Sequence, residues 1–162
     1  MTEKTKIKLD TLISKFPDEY RIFFREIAEH AISLGYNPRF NDKISYADFV
    51  KSKHGKTILK ISPYPNCSLL RLPALNMRFD GLPVCHGIFQ EAAEFSANAE
   101  HCIKCNKCGG SRKIKYTLSD GSEIFGCCQH IRDIPSYSIE NLSEIKDALK
   151  TQDDYLMSLI AT

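Results

Sequence analysis

The chain lacks most of the features that announce a catalyst or a membrane protein. No apolar run approaches the roughly 20 residues that a membrane-spanning helix needs. Met1-Thr2-Glu3-Lys4 also lacks the apolar stretch of a secretory signal, so the expected location is the cytoplasm. The sequence shows no glycine-rich phosphate loop, no Ser/His/Asp set in a recognisable context and no paired-carboxylate motif. No catalytic residue is therefore assigned, and the composition leans away from an enzyme. A formal charge of +2 is too small to point to nucleic acid or to a membrane surface. There is no internal repeat and no low-complexity tract.

What the chain does have is thiol. It holds seven cysteines, an odd number, with five of them between Cys102 and Cys128, which argues for reduced sulfur and metal rather than a disulfide framework. Cys105-x-x-Cys108-Gly-Gly and Cys127-x-x-His130 are two ligand pairs, each with the spacing of a knuckle that grips one cation. Together they supply four soft donors for tetrahedral Zn2+, with Cys102 and Cys128 as alternates that leave the fourth ligand open. Four protein ligands leave no position for substrate, so such an ion is expected to be structural. Cys102-x-x-Cys105-x-x-Cys108 also echoes an iron–sulfur run, but the fourth cysteine expected three residues later is absent. A surplus Cys102 or Cys128 beside Lys104 or Lys107 keeps a thiol-dependent enzyme or a metal or redox sensor among the alternatives.

Between the two ligand pairs, Lys113 to Leu118 alternates polar and apolar residues and runs into Asp120-Gly121, a dipeptide favoured in type I′ turns. Ser122 to Phe125 then returns antiparallel. On these residues, 101–132 resembles the zinc-ribbon family, departing from its commonest pattern where His130 replaces the last cysteine. The resemblance implies a metal-pinned hairpin, expected to pack on the body through Ile114, Tyr116, Leu118 and Phe125 and to be clasped by the last helix. Lys113 and Lys115, next to Arg112, would then face outward as a basic patch suited to phosphate, though with no stacking aromatic beside them. The alternative is an ordinary solubilising face.

The rest of the chain reads as an α+β body with a small antiparallel sheet covered by helices. Leu9, Leu12, Ile13 and Phe16 suggest a helix over 5–16. Tyr20, Phe23, Phe24, Ile27, Ala28 and Ala31 form an apolar stripe ending at Gly35, a C-terminal cap. Ile44 to Val50, Thr57 to Ser62 and Ser68 to Leu72 read as three strands. Val84, Cys85, Ile88, Phe89, Ala92 and Ala93 mark a helix running to about Ala99. Asn141 with Glu144 suggests a capping box opening a last helix that extends to Leu159 and Ile160. Residues 20–95 are faintly similar to bacterial YdhG-like proteins through Ile44-Ser45-Tyr46 and Gly55-Lys56 followed by a strand, which implies a fold and no activity. The expected division is 1–100 for the body, 101–135 for the ribbon-like hairpin and 136–162 for the C-terminal helix.

Among the remaining candidates, Cys85 is expected in the core with His86 at its border, because adjacent helical residues diverge too far to form a thiol–imidazole pair. His54 is expected to be a solvated turn residue, and His101 a neighbour of the knuckle. Phe40, Tyr46, Tyr64 and Arg71 form a possible cleft for a small molecule. The expected role is that of a small zinc-containing binding or regulatory module for a small molecule or protein partner, with nucleic-acid binding as the alternative.

Overall fold

A computed structural model describes residues 1–65, 72–98, 113–126 and 132–161. Helix α1 (Glu3–Ile13) starts at Thr2, whose hydroxyl accepts the Thr5 amide, and buries Leu9, Leu12 and Ile13. Phe16 is buried just beyond its end. Helix α2 (Asp18–Ser33) turns Phe23, Phe24, Ile27, Ala28 and Ala31 inward. It closes in a Schellman motif: Gly35 adopts φ +89, its amide donates to the Ile32 carbonyl, and the Tyr36 amide donates to that of Ala31. The expected cap at Gly35 is therefore present.

Five strands make an antiparallel sheet in the order β1 (Asn37–Phe40), β2 (Ala47–Lys51), β3 (Lys56–Ser62), β4 (Ala74–Met77) and β7 (Arg132–Asp133). Directly paired residues share a face. Ala47, Phe49, Leu59, Ile61, Leu75 and Met77 therefore lie together, and all belong to the same core as the helical stripes. The opposite face carries a polar row across every strand: Arg39, Asp48, Lys60, Asn76 and Asp133. Burial pushes the Asp48 carboxyl up, against the pull of Lys60 and Arg39. The architecture is α+β.

Several boundaries differ from the sequence reading for local reasons. Ile44 does not begin a strand. It sits at φ 47 in a turn held by the Asn41 side chain, which accepts the amides of Ser45 and Tyr46, so β2 starts only at Ala47. The expected strand over Ser68 to Leu72 falls mostly outside the described residues; Leu72 lies in a bend and the strand that completes the meander is β4. Helix α3 (Gly87–Ala97) begins after Val84 and Cys85 rather than with them, because Cys85 is held in a bridge to Leu118 through its amide and the Thr117 carbonyl. The capping box stands one turn before the expected one. Ser138 accepts the Glu140 amide and donates its own to Asn141 Oδ1, forming the 3-10 turn Ile139–Asn141 that leads into α4 (Leu142–Ser158). Leu159 and Ile160, beyond α4, are exposed.

Helix α4 packs on α2 and β3. Lys146 Nζ donates to Glu26 at 2.7 Å, and the Lys146 carbonyl lies 3.1 Å from His30 Nε2. The described strands of the hairpin, β5 (Ile114–Thr117) and β6 (Glu123–Gly126), lean mainly on α3 through β6, whereas the last helix packs mainly on α2.

Candidate functional site

The hairpin register pairs Ile114 with Gly126, Lys115 with Phe125, Tyr116 with Ile124 and Thr117 with Glu123. Its turn is a three-residue loop, Ser119-Asp120-Gly121, rather than the two-residue type I′ form. Gly121 has φ +82, its amide returns to the Leu118 carbonyl, and the Leu118 amide donates to Ser122. This extra residue sets which side chains share a face. Tyr116 and Leu118 are buried, with Ile114 and Ile124 packed beside them. Gly126 is seated so closely that a Cβ there would lie 2.7 Å from Ser96 Oγ and 2.8 Å from the Tyr116 ring.

Phe125 is corrected by the same register. Paired with Lys115, it lies on the outward face and is 52% exposed, so it does not help to dock the hairpin; Ile124 takes that place. The lysine face therefore does carry an aromatic ring, contrary to expectation. Lys115 Nζ also reaches Glu123 at 2.9 Å, an exposed pair of small energetic value. Phe125→Ala is expected to change stability by no more than about 0.5 kcal/mol, because the ring is 52% exposed and lies on the face turned away from the core. A urea melt measures it, and a large loss would place Phe125 in a contact this register does not provide.

On the body side, Tyr116 stacks on Phe79 with ring centroids 5.2 Å apart. The guanidinium of buried Arg132 lies 5.8 Å from the Phe79 centroid and 5.5 Å from that of Tyr116. Arg132 enters the five-stranded sheet opposite Met77, so hairpin and sheet share one aromatic and cationic joint. All the proposed ligands, Cys105, Cys108, Cys127 and His130 with the alternates Cys102 and Cys128, lie outside the described residues, as do His101, Arg112 and Arg71. Among the described residues no group of histidine, cysteine or carboxylate side chains is arranged to hold a metal.

The other sequence candidates separate. Cys85 is fully buried, and burial pushes its thiol up to about 11, so it is a core residue and no nucleophile. His86 is exposed at the start of α3, where it lines a cleft of about 180 Å3 with Leu82, Val84, Phe89, Glu144 and Asp147. The cleft expected from Phe40, Tyr46 and Tyr64 does not assemble. Phe40 pairs with Ala47 on the core face, whereas Tyr46 lies on the polar face beneath Lys60 Nζ, 4.4 Å from its ring centroid, and Tyr64 is exposed.

One constellation went unanticipated. Tyr36 Oη donates to Asp153 Oδ1 at 2.9 Å, and Lys51 Nζ donates to both Asp153 oxygens at 2.8 and 2.9 Å. His54 Nε2 lies 3.2 Å from Tyr36 Oη, which makes His54 a partner in this network rather than a solvated turn residue. Nearby, Arg78 and Asp80 form a second, mostly buried ion pair at 3.1 Å, and the Gly81 amide donates to Gln152 on α4. Burial, reinforced by Asp153, pushes the Tyr36 hydroxyl far up, so it stays a donor. Lys51 and Asp153 stand 102 positions apart, so no local spacing marks them as partners.

Comparison of the chain with protein-family models, curated proteins and solved structures finds no match in any of the three. No helix among the described residues is long and apolar enough to cross a membrane.

Proposed function

We propose that this is a small cytoplasmic zinc-binding protein in which a ribbon-like module, 101–132, holds a structural Zn2+ and serves as a binding or regulatory element for a small molecule or protein partner. The ligands are Cys105, Cys108, Cys127 and His130, with Cys102 and Cys128 as alternates. The observation that carries this reading is the pairing of Ile114 with Gly126. It sets Ile114 and Gly126 side by side at the open end of a docked hairpin, with Lys113 next before Ile114 in the chain. Cys127 follows Gly126 directly in the sequence. Cys108 precedes Lys113 by a short stretch that begins with two glycines. Both ligand pairs are thereby tethered to the same end of one hairpin, as a shared ion requires. Closed coordination by thiolate and imidazole gives the metal a folding role, and partner recognition falls to the surfaces it rigidifies.

Metal analysis of freshly reduced protein, with thiols counted before and after chelation, tests this reading. The expected result is a single zinc per chain, with the ligand cysteines reactive only once it is removed. Iron with sulfide, or little metal and freely reactive cysteines throughout, refutes it.

A second reading has its own support. Lys113, Lys115 and the neighbouring Arg112 would contact phosphate while exposed Phe125 offers a stacking surface, the combination used on single-stranded nucleic acid. Binding of mixed oligonucleotides that weakens steeply with salt supports it, and salt-independent binding removes it.

A further inference from the structure

The β2–β3 turn contains a histidine whose two ring nitrogens have opposite duties. His54 Nδ1 lies 3.0 Å from the Lys56 amide. That amide is a donor, so Nδ1 must accept and the neutral ring carries its proton on Nε2. Nε2 then donates to Tyr36 Oη, whose own proton goes to Asp153 Oδ1, the carboxylate that also receives Lys51. A directed chain of donors thus runs from the tip of a β-hairpin to helix α4.

We propose that this turn is a proton-operated latch, in which uptake of a solvent proton at His54 Nδ1 breaks the bond to the Lys56 amide and swings the ring out of the Tyr36–Asp153 chain. The imidazolium has N–H groups at both nitrogens, so the protonated ring would face the Lys56 amide with donor against donor at 3.0 Å. That arrangement cannot persist without rotation of the ring or opening of the turn. An asparagine would satisfy the same amide without titrating, so histidine adds acid sensitivity that the turn itself does not need.

The charged groups around the ring come from every packed element. Asp153 on α4 favours the charged ring, while Lys51 on β2, Lys56 on β3 and Arg78 after β4 oppose it. Burial is the largest influence and, with the three cations, holds the ring below the ordinary histidine value of 6.5. A depressed folded value fixes the sign. The closed latch contributes stability above pH 6.5, and that contribution is lost as pH falls from 6.5 through the folded value.

The experiment follows His54 and the Lys56 amide by NMR between pH 7.5 and 5, in wild-type protein and in His54→Asn. His54 is expected to titrate below 6.5, and protection of the Lys56 amide against hydrogen exchange is expected to fall roughly tenfold for each pH unit below that midpoint. In His54→Asn the asparagine oxygen keeps the amide bonded, so protection should not change across this range. A wild-type midpoint at or above 6.5, or the same loss of protection in both proteins, overturns the latch. If the variant does not fold, the wild type still decides: the Lys56 amide must shift with the His54 midpoint, and independent titration of the two refutes the coupling.

Discussion

Asp153→Ala is expected to lower stability by about 3–5 kcal/mol, the loss typical of a buried ion pair stripped of one partner. Lys51 and Asp153 side chains are only 14% and 9% exposed, so their interaction is weakly screened by water. Removing the carboxylate leaves the Lys51 ammonium without its acceptor and takes from Tyr36 the oxygen its hydroxyl donates to. Both defects arise at the contact between α4 and the sheet, whose neighbouring Gln152–Gly81 bond cannot replace a charge. Urea melts should show the midpoint shifting with little change in slope. The double variant Lys51→Met/Asp153→Leu should recover most of the loss, because replacing both charges with apolar groups removes the desolvation cost along with the attraction. A double variant as unstable as Asp153→Ala would mean that Tyr36, not the ion pair, carries the energy.

The contrast between this network and the helices shows which parts of the fold were legible. The stripes of α1 and α2 were readable because burial recurs every three or four residues, and Gly35 ended α2 because its positive φ suits a residue without a Cβ. The register of β5–β6 was readable in outline from alternation. The identity of the outward aromatic was not. The extra residue in the Ser119-Asp120-Gly121 loop decides whether Phe125 or Ile124 faces α3, and Asp-Gly is compatible with either loop length. Strand β4 was missed because Ala74–Met77 is short and buried throughout, so nothing alternates along it. Ile44 misled for the opposite reason: a β-branched residue that favours strands is held in a left-handed turn by Asn41. The Tyr36, Lys51, His54 and Asp153 cluster was beyond any local pattern, because Asp153, the carboxylate that Tyr36 and Lys51 share, arrives only with α4.

On the proposed zinc site, removal of metal from the reduced protein is expected to have its largest effect on β5 and β6, with little change in the sheet β1 to β4. Each hairpin strand pairs over only four residues, too few for an isolated two-stranded ribbon to hold in water. What the hairpin retains without metal is the burial of Tyr116 and Leu118, the stacking of Tyr116 on Phe79 and the seat of Gly126 against Ser96. Those contacts are concentrated at its centre, and at its open end only Ile114 and Gly126 add to the ladder among the described residues. Structural zinc contributes about 10–16 kcal/mol in small finger peptides that are unfolded without it. Here the body has its own core, so the expected outcome is local opening: hydrogen-exchange protection of the β5 and β6 amides should fall by roughly 100-fold or more, equivalent to about 2.7 kcal/mol, with smaller changes in α2 and β3. Cys105→Ser/Cys127→Ser should reproduce the pattern without a chelator. Equal protection in metal-loaded and metal-free protein would mean that the aromatic joint around Arg132 holds the hairpin by itself, and the argument for a shared ion at its open end would fail.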